Sequence, residues 1–532
     1  MSADVSIGAA DSRAQSPQTT LPRRSLGGLI AISIFWFAIN FHWSALLLIV
    51  VPSQVTSLLL HAAPGATLVD QKSWVDAHKA LTLALVLAPG LIVALIANPL
   101  FGLLSDRTPG RFGRRRPYVL GGALLNVVGL GLMAFAPLAF IHQGRGNPFG
   151  PSLIALTLGL MLAQLANNAA AAPFHALLPD LVPTEQRGKA SGIMGLALFL
   201  GQIGGAIAPT LCGFNSDSLL TGKQSATVYD HGVIAAYLIV AVVTLLLAGL
   251  TCVTVREQPW RRDQAAAGAD AQTQHTTRDL LGTVLVTLLI VAVAIGLTHA
   301  PIGFSLNTDS LSVLQLVAVI IAGIGAARAF GVRPTREPDF GWVVSTRMLV
   351  MMGVYMVQTF LQYYMKDVVH STQPEADTAT FVIILTGTAL LSTLVAGWAS
   401  DRLGRKRMVY ISGAFMAVVG AAFVGAPYLL PNNILLLTFI ASAVFGLGYG
   451  AYISVDWALV ADVLPSEKTY ARDMGVWNIG LTLPQVLAAV LGGWLLTLGG
   501  HNRFGYSLLF IWFVLFCVAG TVTVRFIKGV RR

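Results

Sequence analysis

The run ILLLTFIASAVFGLGYGAYISVDWALV (434–460) contains a single charged residue, Asp456. Of the 24 Asp and Glu, it is the one that falls inside an apolar stretch long enough to cross a bilayer. A carboxyl in such surroundings is suited to loading and releasing a proton, and an ionisable group at that depth marks function by default. Tyr449, Tyr452 and Asp456 are spaced i, i+3 and i+7 and share one helix face. When the two halves of the chain are aligned, Asp456 pairs with Phe174, next to His175, so His175 is its titratable counterpart. Both are read as proton-coupling residues. The competing reading puts Asp456 about 9 Å before Asp462, hydrated near the cytoplasmic mouth.

Amides and aromatics supply the second kind of chemistry. Gln164, Asn168 and His175 fall at i, i+4 and i+11, on one face of a helix that Pro173 can kink. Gln164 sits about 18 Å along its apolar stretch, near the midplane. Gln358 and Gln362 form another i, i+4 pair, and Asn40 and Trp43 lie one turn apart. Amides suit a small polar solute rich in hydroxyls, and aromatic rings such as Trp43, Tyr355 and Trp477 suit its C–H faces. Asn40, Trp43, Gln164, Asn168, Gln358, Gln362 and Trp477 are therefore the candidate substrate contacts. Each has a bland alternative: interhelical hydrogen bonding for the amides, core packing for the rings.

Charged loops form the third group, and they repeat. GLLSDRTPGRFGRRR (102–116) corresponds to GWASDRLGRKR (397–407), with four extra residues in the first copy. ALLPDLVPTEQRGKASG (176–192) corresponds to ALVADVLPSEKTYARDMG (458–475). Asp106 matches Asp401, Arg107 matches Arg402, Arg114 aligns with Arg405, and Asp180 pairs with Asp462. A carboxylate ending a helix can face the positive N-terminus of a neighbour, and the arginines can pair with carboxylates or lipid phosphates. These eight residues are read as gates. The plainer alternative makes them orientation signals only.

The elements that must carry these residues follow from composition. The 532 residues are 55% hydrophobic and 11% charged, against about 25% charged in soluble proteins. Apolar stretches near 27–51, 80–104, 118–141, 152–175, 190–213, 232–255, 280–299, 311–330, 345–366, 378–400, 407–428, 433–457, 474–497 and 504–527 are each long enough to span. With the N-terminus inside, 28 of the 34 Lys and Arg fall in internal loops and tails. That bias puts both termini in the cytoplasm, in a multi-pass protein of the cell membrane. The net charge of +10 is thus a topology signal and implies no nucleic-acid partner.

The expected fold is all-α: two six-helix halves plus a central two-helix hairpin. Residues 1–26 read as a disordered cytoplasmic tail, 27–255 as the N-terminal half, 256–279 as a cytoplasmic linker. Residues 280–330 read as the accessory hairpin and 331–532 as the C-terminal half with a cytoplasmic end. Cys212, Cys252 and Cys517 all sit in apolar runs and suggest neither disulfide nor metal. No H-x-x-x-H, G-x-S-x-G or phosphate-binding loop is present, so no enzyme, metal or cofactor is expected.

The duplicated G-x-L-x-D-R-x-G-R-[KR] loop resembles the signature of the major facilitator superfamily. SDRTPGRFGRRRP further resembles the glycoside–pentoside–hexuronide transporters, and especially the sucrose–proton symporters, whose loop reads S-D-R-x-x-S-R-F-G-R-R-R-P. QLANNAAAAPFHALLPDL is similar to their span-4 pattern through Ala166, Asn167, Asn168, Pro173, Ala176, Leu178, Asp180 and Leu181. FHWSALLLIVVP keeps Phe41, Trp43 and Pro52. The family's span-4 aspartate, associated with proton and sugar binding, is Gln164 here, and its arginine is His175. The resemblance implies a monomeric secondary transporter of a sugar or glycoside, working by alternating access and coupled to protons or another ion. The alternative is a drug or metabolite exporter of the same superfamily, using proton antiport.

Overall fold

The structure, a computed structural model, describes residues 22–108, 112–139, 150–183, 186–257, 338–463 and 470–528. Within these residues twelve helices are long and apolar enough to cross a membrane. They are α1 (Leu26–Ala62), α2 (Leu68–Arg107), α3 (Arg116–Ala139), α4 (Pro151–Leu181), α5 (Arg187–Thr210) and α6 (Ala226–Thr254). The second set is α7 (Pro338–Asp367), α8 (Pro374–Leu403), α9 (Arg405–Leu429), α10 (Ile434–Val463), α11 (Tyr470–Gly499) and α12 (Arg503–Thr523). The N-terminal tail up to residue 21, the linker beyond Glu257 and the hairpin expected at 280–330 lie outside the described residues.

The repeat seen in the loops extends to packing. In the first half α1 packs on α5 and α6, α2 on α4, and α3 on α4 and α6. In the second half α7 packs on α11 and α12, α8 on α10, and α9 on α10 and α12. Every pair recurs six helices later. Between the halves α2 lies along α11 and α5 along α8, and this pair of contacts is likewise related by the six-helix offset. Small residues set the closest approaches, as lipid supplies no hydrophobic drive between helices. A Cβ on Gly201 would overlap the Phe37 carbonyl oxygen, and one on Gly205 would overlap that of Phe41. Only glycine at these two positions lets α5 come this near to α1.

Two helices depart from what the apolar stretches predict. At 40 residues α2 is about 60 Å long, roughly twice the hydrocarbon thickness. Its first three turns, LVDQKSWVDAHK, are polar, and the Thr67 hydroxyl caps them by accepting from the Asp70 amide at 3.2 Å. In α1, Leu46–Val50 forms a π turn just before Pro52, which carries no amide hydrogen to donate. Beyond that turn α1 continues to Ala62 with Ser53 and Gln54 buried on its inner surface. The expectation that Asp456 stands alone as an intraspan acid is therefore corrected. Asp76, Asp230, Asp367 and Glu375 also belong to spanning helices. Hydropathy breaks off at these turns, yet they are helical: Asp76 pairs with Lys79 on its own helix, and Asp230, Asp367 and Glu375 are met by side chains of other helices.

Candidate functional site

In the C-terminal half the sequence-selected carboxylate has a partner that sequence reasoning passed over. Asp456 on α10 is ion-paired with Arg347 on α7, and both side chains are buried. The Tyr452 hydroxyl donates to the other carboxylate oxygen at 3.3 Å, from one turn back on α10. The Arg347 guanidinium lies 3.5 Å from the centre of the Trp477 ring on α11, in cation–π geometry. Tyr355 and Tyr449 stand near the same guanidinium, and Gln485 lies beside the Tyr355 phenol. Three helices thus converge on one charge pair walled by tyrosines and a tryptophan. Arg347 is visible in the sequence as an arginine inside an apolar run, but so near the start of that run it counts as one more internal positive charge.

In the N-terminal half the amides bind one another. The Asn168 amide donates to the Gln164 backbone carbonyl at 2.8 Å and to its side-chain oxygen at 3.3 Å. Asn98 on α2 donates to the Asn168 oxygen at 3.2 Å. Gln164 is buried, and a Cβ at Gly90 on α2 would lie 3.2 Å from its Cγ. Gln164 and Asn168 therefore tie α4 to α2. Asn40 is half-buried with its amide on the Trp36 carbonyl at 2.8 Å. Half-buried Trp43 meets the His42 ring edge-on at 4.4 Å, and His42 in turn faces Asn126 at 3.3 Å. His175 packs edge-on against Trp36, 4.4 Å between ring centres. Gln358 is half-buried on α7.

The repeated loops fold alike. Gly113 and Gly404 both adopt positive φ, +92° and +91°, a turn that favours glycine immediately ahead of the basic run. Ser105 and Ser400 each return their hydroxyl to the glycine carbonyl three residues earlier, at 2.8 Å in both copies. In the first copy Arg114 and Arg115 converge on Asp180 at 2.8 and 3.3 Å, so both repeated motifs of that half meet. Glu257 accepts from the Arg115 amide at 3.0 Å and caps the start of α3. Burial pushes its carboxyl up from the usual range, and the Arg115 and Arg116 amides partly offset this. Arg402 stacks on the Trp398 ring at 4.0 Å. Asp106, Arg107 and Asp401 lie in the last turns of α2 and α8, and Asp462 in that of α10. Arg405 opens α9.

The opposite, far end of the bundle holds a cluster that the sequence did not announce. Lys79 on α2, 1% exposed, bridges Asp76 at 2.7 Å and Asp367 on α7, and the Tyr506 hydroxyl reaches Asp367 at 2.7 Å. Lys366 meets Asp217 at 2.7 Å across the same seam. Gln362 donates to the Ser53 hydroxyl at 2.6 Å and to Glu375 at 3.2 Å, while Ser53 donates to Glu375 at 3.0 Å. The Tyr363 hydroxyl reaches the Pro52 carbonyl at 3.1 Å, and Asn215 reaches that of Thr372 at 3.0 Å. Each bond between residues below 258 and above 337 joins the two halves. The far end is closed by a polar seam, and Gln362 lies in it.

Family comparison agrees with this architecture. The model for the Major Facilitator Superfamily matches residues 343–531, and that for MFS/sugar transport protein matches residues 77–308. A general alpha-glucoside permease of Schizosaccharomyces pombe is 26% identical over 241 residues, 45% of this chain and 40% of that protein. A sucrose transport protein of Arabidopsis thaliana is 26% identical over 204 residues, 37% and 39% of the two chains. The chain thus spans about 40% of the length of these two curated relatives. A solved D-xylose–proton symporter superposes with TM-score 0.60 at 17% identity, covering 95% of this chain and 99% of that one, which speaks to the fold alone.

Proposed function

This chain belongs to the major facilitator superfamily, and from that premise we propose that it carries a sugar or glycoside across the membrane by alternating access, coupled to protons. One observation carries the mechanism: two repeat-related halves are fastened at one end by side-chain ion pairs and amide bonds, a seam that water can replace. Sugar chemistry is supported by the printed names of the sucrose and alpha-glucoside relatives. In this reading Asp456, held by Arg347 under Trp477, is the coupling carboxylate, and His175 is the titratable group of the other half. Half-buried Asn40, Trp43, Gln358 and Asn168, with the buried Gln164 and Trp477 behind them, form the solute site, while Gln362 reports its arrival to the seam. Asp106, Arg107, Arg114 and Asp180, with Asp401, Arg402, Arg405 and Asp462, form the gates of the motif end. Both chain termini are placed in the cytoplasm, and the functional unit is a monomer.

Uptake of labelled sucrose, maltose and xylose into proteoliposomes, with and without an inward proton gradient, tests this reading. At least one sugar is expected to accumulate several-fold only with the gradient. Failure of all three, or sugar expulsion driven by the inward gradient, would overturn it in favour of an exporter.

A further inference from the structure

Of the carboxylates in and around the far-end seam, Glu375 differs in its partners. Asp367 faces Lys79 and Asp217 faces Lys366, each a cation within ion-pair distance. Glu375 is 2% exposed, and no cation bridges it among the described residues. Its neighbours come from every element around it. Ser53 stands on α1, Gln362 on α7, and the Ser216 amide on the segment between α5 and α6. The titratable group beside Glu375 is Tyr229 on α6, which also stands near Asp230 and Tyr363; the Lys366–Asp217 pair belongs to the same seam but is not among the groups acting on Glu375. Tyr229 spends its hydroxyl on the Ser53 carbonyl, and Asp230 receives the Ser57 hydroxyl.

The hydrogen bonds are also lopsided. Ser53, Gln362 and Ser216 all donate to Oε1 of Glu375, at 3.0, 3.2 and 3.0 Å. Its Oε2 is buried without a partner, and so are Oε1 of Gln362 and the hydroxyl of Thr378, one turn further along α8. An ionised carboxylate has two equivalent acceptors, and burying one of them dry and without a cation is costly. A neutral acid has one carbonyl oxygen that accepts and one hydroxyl that donates. The pattern at Glu375 fits the neutral acid: the hydrogen bonds from Ser53, Gln362 and the Ser216 amide converge on one oxygen, and Gln362, which supplies one of them, keeps a buried acceptor without a donor.

We propose that Glu375 is a proton-binding site that locks the far-end seam. It takes a proton from the solution on that side onto Oε2 as the halves close, and returns it to the same side when they part. The seam holds while Glu375 is protonated and loosens as the pH of that side rises. This rests on the alternating-access reading only in requiring that the halves separate here; it does not depend on the solute or on Asp456.

The test needs no substrate. Spin labels at Lys223→Cys and Gln373→Cys, both exposed and on opposite sides of the seam, report its opening in the full chain with Cys212, Cys252 and Cys517 replaced. Between pH 5 and 9 the short-distance population is expected to fall about tenfold relative to the long one, one decade of an equilibrium constant. Glu375→Gln, which keeps the oxygen that accepts all three donors, is expected to hold the short distance across that range. Asp456→Asn is expected to retain the pH response, which separates this site from the coupling carboxylate. A parent protein whose distances ignore pH, or a Glu375→Gln variant that responds as the parent does, overturns the proposal. The sugar-uptake assay can fail without touching either result.

Discussion

Replacing Asp456 by Asn probes the centre of the C-terminal half with almost no change of shape. The amide would keep an oxygen for the Tyr452 hydroxyl, which stands 3.3 Å from the present carboxylate, but would leave Arg347 charged and buried. Removing one partner of a buried pair costs about 3–5 kcal/mol, because the other charge stays desolvated. The Trp477 face still holds the guanidinium, a contact of about 2 kcal/mol when desolvated. The lower end, about 3 kcal/mol, is therefore expected, roughly a hundredfold in the folding equilibrium. Arg347→Gln should cost a similar amount, and Arg347→Gln with Asp456→Asn should cost far less than the sum, because the double variant strands no charge. Chemical unfolding in detergent reads these three values. In proteoliposomes, Asp456→Asn is expected to abolish gradient-driven accumulation while leaving downhill exchange. If the double variant loses as much as the two single losses added together, the pair is not the unit described. If Asp456→Asn accumulates solute under a proton gradient as the parent does, proton coupling at this carboxylate is refuted.

Lys79→Met leaves Asp367 buried at the seam without its cation, so the far end should open: labels at 223 and 373 should shift to the long distance at all pH values, and an unchanged distribution would contradict the seal. Gly113→Ala forces an L residue to φ +92° and drives its Cβ into the Glu257 carboxylate, so a loss of about 1–3 kcal/mol is expected in the same unfolding assay, with partial recovery when Glu257→Ala is added. Asp106→Asn and Asp401→Asn should each depress uptake while the protein still folds and inserts, and near-normal uptake in both would leave these carboxylates as orientation signals.

What was legible in the sequence divides along a physical line. The two halves could be read because their constraints are local. A glycine ahead of a basic run at 113 and 404 answers to a backbone angle, and a serine three residues after Gly102 or Gly397 answers to a carbonyl on the same turn. Asp456 could be read because a charge in an apolar run needs no partner to be conspicuous. Its partner could not be found in the same way, for Arg347 is 109 residues distant and near the start of its run. Lys79 and Asp367 are 288 residues apart, each in a polar turn that reads as a loop until tertiary contact buries it. Glu375 was disguised further. An acid beside Pro374 at a helix start looks like an ordinary complement to the helix dipole, and only α1 and α7 make it a buried one. One signal was available: a lysine three residues after an aspartate, opening a long apolar run, is a charge that the following helix will carry inward.

The two ends of the bundle place their charges differently, and the difference bears on how the halves move. At the motif end Arg114 and Arg115 pair with Asp180 inside one half, and Arg402 stacks on Trp398 inside the other. Those contacts travel with their half. At the far end Lys79–Asp367 and Lys366–Asp217 run from one half to the other, so separation must break them. A buried ion pair contributes little net stability against its solvated ions, since desolvation cancels most of the attraction. An apolar seam offers no such cancellation: each Å² exposed on opening costs about 25 cal/mol, with nothing for water to bind. A seam of ion pairs and amides is therefore strong in geometry and shallow in free energy, and water entering it solvates what it separates. That makes the far end the half-to-half contact best able to open and close repeatedly, and a carboxyl within it that no cation bridges among the described residues, Glu375, is enough to bias which state prevails.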